Sequence, residues 1–267
     1  MEIKQISPIL ALELILNNHY SKMMPRLTKY YLGAFIDNKL VGAMTLGHGT
    51  RPVHTIRRLF PSLSTKDYFE IGRMAMLEEM PKNTESQFLS LVIKWIKHNE
   101  HTKKILFTWA DGIVGKPGYM YQASNFLYGS YVWSDTYISP KGERVHPRTT
   151  GGTDMEKISS SKFSRPSKEY LKENGWKHYR GKLFRYVYFL CDRKEKKKLL
   201  KESLIEWNID YPKHCDLEWK LYDYNNKKWD IVYNIDYDSN VISDLNKTAV
   251  KNRLKIEEMK KSQQFFG

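Results

Sequence analysis

The sequence predicts a mixed α/β (α+β) protein, a β-sheet flanked by helices with a basic insertion near 141–178 and a C-terminal accessory tail. Three observations predict it. Segments with strand-like alternation or continuous apolar runs recur along the first 190 residues, and stretches of helical periodicity separate them. The 267 residues are 41% hydrophobic and 13% aromatic, enough to bury one sizeable core with an appendage.

Taken in order, "SPILALELILNN" (7–18) reads as a helix with Ser7 as N-cap and Pro8 in the first turn. "KYYLGAFIDNKLVGAMTLGHG" is two apolar runs joined at Asp37-Asn38, a β-hairpin. "YFEIGRMAML" is a third strand. A helix over 86–97 would place Phe88, Leu91, Val92, Trp95 and Ile96 on one face, with Thr84 or Asn83 as its cap and Thr84 and Gln87 spaced as a capping box. "KKILFTWAD" is a continuous apolar run, like a strand buried on both faces, and ends at Asp111. A short helix, "YMYQASNFL", then leads into a strand and a turn around Pro140–Gly142. Residues 153–165 read as a serine-rich loop, "SRPSKEYLKENGW" as a short helix with Ser164 or Ser167 at its start, and "KLFRYVYFL" as the closing strand. The expected organisation is a catalytic domain over 1–192 and a helical and aromatic accessory element over 193–267.

The formal charge of +14 points to a polyanionic partner, since clustered Lys and Arg gain affinity for phosphates by releasing counterions. Residues 141–185 carry 12 basic and 5 acidic residues interleaved with aromatics, which suits a nucleic-acid contact through Lys141, Arg144, His146, Arg148, Lys177 and Arg180. Nothing reads as a spanning helix or a secretory signal, so the expectation is a cytoplasmic protein with no membrane partner. Cys191 and Cys215 lie outside any CxxC or Cys/His cluster, which argues against a disulfide framework or structural zinc.

The element order resembles that of the GNAT acetyltransferases, whose mixed sheet splays open where the central helix begins. Those enzymes hold the coenzyme A pyrophosphate on a glycine-rich loop at that helix mouth. Here the loop is "EEMPKNTES" (78–86), with no glycine and with Glu78 and Glu79 set against a diphosphate. A more specific resemblance rests on "HYS" (19–21), "LVGAMTLGHG" (40–49), "EIGRMAML" (70–77), "PKNTES" (81–86), "WAD" (109–111), "GYMYQASNFLYGS" (118–130), "VHPR" (145–148) and "YRGKLFRYVYFL" (179–190). In this order they are similar to the Mom family of bacteriophage Mu and related phages, over about residues 15–205. The resemblance implies conversion of adenine in phage DNA to N6-carbamoylmethyladenine, which protects that DNA from restriction. The donor would be glycine-derived, such as an aminoacyl-tRNA, or an acyl-coenzyme A, which makes tRNA a second candidate partner.

Chemistry on adenine N6 needs the base extruded from the duplex. Trp109, Tyr121, Gln122, Asn125 and Tyr128 offer stacking and hydrogen-bonding groups close together in sequence. Asp111, at a strand's C-terminal end, is the candidate general base or the group that orients one, its ordinary reading being a cap on the following turn. Arg73, a charge in an apolar strand, needs a ligand or a partner such as Asp111 or Glu85. His19, Tyr20 and Ser21 could move protons, and Asn83, Glu85 and Ser86 form a polar helix mouth. His19, Asp111 and Glu85 are the candidate ligands if a metal is used. Two other functions fit the same composition: a conventional acyl-coenzyme A-dependent N-acetyltransferase, and a non-enzymatic basic DNA-binding protein.

Overall fold

A computed structural model describes residues 1–21, 24–145, 166–237, 254 and 256–258. His146, Arg148, most of "VHPR" and the serine-rich loop lie outside the described residues. The chain forms two compact units, each assembled from three segments. The first comprises 1–110, 118–131 and 184–212, the second 111–117, 132–183 and 213–267.

The strands β1 (Glu2–Gln5), β2 (Leu27–Ile36), β3 (Lys39–His48), β4 (Tyr68–Met76), β5 (Ile105–Asp111), β8 (Lys177–Phe189) and β6 (Leu127–Ile138) are neighbours in that order, and the first unit holds β8 from Phe184 and β6 up to Tyr131. The β2–β3 hairpin turns at Asp37 and Asn38, whose φ values of 48° and 63° are the left-handed pair that matches strand twist. Helix α1 (Pro8–Asn18) is capped by the Ser7 hydroxyl, which accepts from Leu10 N–H. It packs Ala11, Leu14 and Ile15 on Ala43 and Ala75. β1 and α2 (Pro52–Leu59) carry no strong signal in the sequence, because one is four residues long and the other only eight.

A second cluster joins Ile56 and Leu59 of α2 to Tyr68, Ile105, Phe107, Val187, Phe189 and Trp207. Leu199 of α6 (Arg193–Glu202) completes it, so the boundary expected at 192 falls inside a segment of this unit. Each such side chain contributes about 1.5–3 kcal/mol by burial.

β4 and β5 are parallel and pair only from Tyr68 to Glu70 and from Ile105 to Phe107. Past those residues the two strands run on without pairing to each other, the splayed sheet that the element order predicts. α3 (Thr84–Asn99) begins two residues before the expected helix and buries Thr84, Phe88, Leu89, Val92, Ile93 and Ile96. Leu91 and Trp95 are only half-buried, so the buried stripe is turned from the expected one.

In the second unit β7 (Arg144–Val145) pairs with β6, while β9 (Trp219–Asp223) pairs with β8 over Tyr179–Gly181 and with β10 (Lys228–Val232). The aromatic run of the tail is therefore a hairpin that extends a sheet. α5 (Lys168–Glu173) takes its cap from Ser167, whose hydroxyl accepts from Tyr170 N–H. Tyr137, Val145, Leu171 and Trp176 form this unit's core. Among the described residues no helix is long and apolar enough to cross a membrane, and Cys191 and Cys215 are free thiols.

Candidate active site

The splay between β4 and β5 gathers polar groups in the first unit. Thr45 on β3 pairs with Arg73 and Leu46 with Ile71, so Gly72 is the extra residue of a β-bulge. The bulge shifts the two-residue period and turns Arg73 to the same face as Glu70. Arg73 donates from Nη1 to the Gly72 carbonyl (2.6 Å) and from Nη2 to Ser21 Oγ (2.9 Å), and its backbone N–H donates to Thr45 Oγ1 (2.9 Å). The "HYS" segment is thereby tied to the strand. His19 stacks on Tyr20 (4.2 Å), and its Nδ1 accepts from Ser21 N–H (2.9 Å).

Glu70 is the carboxyl that the sequence reading passed over. It is the last β4 residue paired with β5. Burial raises its pKa to about 7, against lowering contributions from Gly49 N–H, which it accepts, and from Arg73. Gly49 allows this contact, since a Cβ there would lie 2.5 Å from Glu70 Oε2. The signal was available: a carboxylate three residues before an arginine, with a glycine between them, in an otherwise apolar strand.

On the other side of the splay, Tyr121 of α4 (Tyr119–Ala123) accepts from Thr108 Oγ1 (3.2 Å), and burial pushes its hydroxyl pKa up. Glu85 and Arg73 both act electrostatically on that hydroxyl. Gly118, at φ 99°, lets the chain enter α4; a Cβ there would meet Tyr186 at 2.6 Å and Ala110 at 2.9 Å. Gln122 donates to Tyr186 Oη (3.0 Å) and to the Pro212 carbonyl (2.9 Å). Tyr128 packs on Tyr186 at 5.7 Å.

The stacking wall expected from Trp109 to Tyr128 is not one wall. Successive strand residues point to opposite faces, so Thr108 meets Tyr121 while Trp109 joins the cluster beneath α2. Asn125 is exposed at φ 60° and ends α4 in the left-handed conformation, with its N–H donating to Gln122 O (3.2 Å).

At the mouth of α3, Asn83 holds the left-handed conformation (φ 72°) that a glycine would otherwise supply. The expected capping box is absent: Asn83 is the N-cap by position without a side-chain cap bond, Thr84 Oγ1 donates to Pro81 O (2.6 Å), and Ser86 Oγ to Asn83 O (2.9 Å). Asn83 and Glu85 are exposed, Glu85 in the first turn where a negative charge suits the helix dipole.

In the second unit, Asp111 Oδ1 accepts from Ile113 N–H (3.1 Å) and Oδ2 from Arg144 Nη2 (3.2 Å). Asp111 therefore pairs with Arg144, a candidate DNA contact, in place of Arg73. The Arg144 guanidinium also lies 5.6 Å from the Tyr237 ring. Arg180 is likewise held, by Asp135 (2.7 Å) and over Trp229 (4.3 Å), while Lys177 and Lys141 are exposed, with Lys177 3.8 Å from Asp236. His178 Nε2 also bonds Asp135 (3.0 Å); these partners hold Asp135, despite its burial, down at about 2, and burial lowers His178. Among the described residues no three His, Cys, Asp or Glu side chains are grouped to hold a metal ion.

The Mom protein family model matches residues 1–213. This chain belongs to the Mom protein family. This Mom-family chain is 29% identical over 200 residues to the methylcarbamoylase Mom of Escherichia phage Mu, across 74% of this chain and 78% of that one. Solved structures similar to it include aminoglycoside 6'-acetyltransferase type Ii, at a TM-score of 0.39 and 8% identity, covering 72% of this chain and 99% of that one. A GNAT family acetyltransferase from Elizabethkingia anophelis with acetyl-CoA bound gives 0.38 and 12%, covering 70% and 97%.

Proposed function

We propose that this chain is a phage DNA-modifying transferase that attaches a carbamoylmethyl (acetamido) group to adenine N6 in the bacterial cytoplasm, protecting that DNA from restriction. The observation that carries the reading is the family match over 1–213, which spans every residue of the splay. The adenine amine is delocalised into its ring and shielded in a base pair, so the base must be extruded before N6 can attack. As the new N–C bond forms, the donor's leaving group departs with its electron pair and N6 loses a proton.

We assign that proton to Glu70, whose pKa of about 7 suits acceptance near neutrality. Arg73, steadied by Ser21, binds the electron-rich group of the donor, and the buried Tyr121 hydroxyl orients it. Asp111, both of whose oxygens are engaged, holds Arg144 and the turn after β5 and so orients rather than accepts. The α3 mouth offers Asn83 and Ser86 where a coenzyme A site wants glycines. That chemistry favours a glycine-derived donor such as an aminoacyl-tRNA.

The test is mass spectrometry of enzymatically digested DNA from cells expressing the protein, beside cells expressing Asp111→Ala or Arg73→Ala. A nucleoside heavier than deoxyadenosine by the carbamoylmethyl increment, lost in both folded variants, is the expected result. Full modification by a folded Arg73→Ala protein would remove Arg73 from the site. Micromolar binding of acetyl-coenzyme A by calorimetry, with unmodified DNA, would favour a conventional N-acetyltransferase instead.

A further inference from the structure

Arg185 lies on β8 within an apolar run, partly buried, and among the described residues no carboxylate forms an ion pair with it. Its Nη2 donates to the Tyr131 carbonyl (3.2 Å), its guanidinium carbon is 5.9 Å from the Trp109 ring centroid, and its Nε is buried without a hydrogen-bond partner. Burial lowers its pKa; of the groups that act on it electrostatically, Tyr128 raises it and Arg58, another cation, lowers it. Arg58 is exposed in the last turn of α2, beside Arg57, and that helix also presents exposed His54 and follows exposed Arg51 with no acidic residue in its span.

A protein normally buries a guanidinium against a carboxylate, because an unpaired buried donor loses its water without gaining a partner, and a charged one loses more. Two neighbouring guanidinium groups raise that cost further. The arrangement is stable in isolation only at a penalty, and it is relieved by an anion that accepts from Arg185 and Arg58 together. A phosphodiester has the geometry and charge for this, since arginine's planar fork matches phosphate oxygens. The tyrosine carbonyl and the indole hold the Arg185 side chain in place beforehand, so little rotamer entropy is lost on binding.

We propose that Arg185 and Arg58 form a binding site for a DNA backbone phosphate on the Trp109 side of β5. The proposal rests on the DNA-modifying reading above and adds to it the residues that grip the duplex. Arg185 closes the basic segment 141–185 without being among the six contacts expected there, and Arg58 lies outside that segment. The site sits on the face of β5 opposite Tyr121 and Thr108, and its role is to anchor the strand.

The test is fluorescence anisotropy of a labelled 30-base-pair duplex against salt concentration, with wild-type protein, Arg58→Gln, Arg185→Gln and Arg185→Lys. Each phosphate contact contributes a slope of roughly 0.9 in log K against log salt. Both glutamine variants are expected to lower the slope by about one. Arg185→Lys, which keeps the charge and loses the fork, should retain the slope and bind more weakly. Arg58→Gln, at an exposed position, keeps the test decisive if Arg185→Gln fails to fold. Wild-type slope in Arg58→Gln and in every folded Arg185 variant would overturn the site while leaving the DNA-modifying reading standing. Wild-type protein without salt-dependent DNA binding would overturn both. A slope lost on tRNA but kept on DNA would overturn the assignment to DNA.

Discussion

At the residue scale, Glu70 carries the sharpest pH signature in the first unit. Its carboxyl is raised from 4.5 to about 7 in the folded chain, so the fold holds a proton that the unfolded chain has released over that range. Its contribution to stability is full below about 4.5 and is lost as pH rises through about 7. At 1.36 kcal/mol per unit the swing is about 3 kcal/mol. Glu70→Gln should therefore shrink the difference in unfolding free energy between pH 5 and pH 8 by most of that amount, as read by denaturant titration; an unchanged difference would mean Glu70 does not ionise in this range. The same variant should lose most of its DNA modification. Glu70 was not named from the sequence, and Arg185 was only counted within 141–185, for a physical reason. A charge inside an apolar strand marks a partner or a ligand, but only the bulge at Gly72 and the register of β8 say which neighbours it meets.

At the element scale, α3 shows how a helix can start without glycine. Asn83 tolerates a left-handed backbone better than other L residues do, and Asn83→Ala should cost about 1–2 kcal/mol in unfolding free energy. Asn83→Gly should cost little, because glycine adopts that conformation without strain. Equal stability of the alanine variant in denaturant would show that the loop relaxes. α1, the Asp37-Asn38 hairpin, β4, β5 and the Ser167 cap were legible because period, turn residues and caps agree locally. The capping box at Thr84 was not, since the chain turns one residue earlier and spends the threonine hydroxyl on Pro81 O. Nor was the joint wall of Trp109 and Tyr121: closeness in sequence said nothing about which face of β5 each would meet.

At the scale of the whole molecule, the family match ends at residue 213 while β9 and β10 complete the second unit's sheet. Tyr222 and Trp229 pack around His178, at 6.1 Å and 4.9 Å. A chain shortened to residues 1–213 should keep the first unit's core and expose the β8 edge at Tyr179–Gly181. Hydrogen exchange would show protection lost there and retained in β2 and β3; retained protection at Tyr179–Gly181 would make the hairpin dispensable. The sequence located this tail but could not say that its aromatic run pairs with β8, because a short strand reveals its partner only in three dimensions.

The three-segment build of the first unit bears on how the protein is made. Phe60 stacks on Trp207 with centroids 5.7 Å apart, inside a cluster that also needs Val187, Phe189 and Leu199. At about 5–20 residues per second, a ribosome takes roughly 7–30 s to travel from the first of these rings to the second. Throughout that interval the nascent α2 stripe has no completed core to enter, so the growing chain emerges with Ile56, Leu59 and Phe60 unburied. Newly made protein consequently keeps this stripe exposed until residue 207 clears the exit tunnel, and a premature stop before that point yields a chain that cannot close this core.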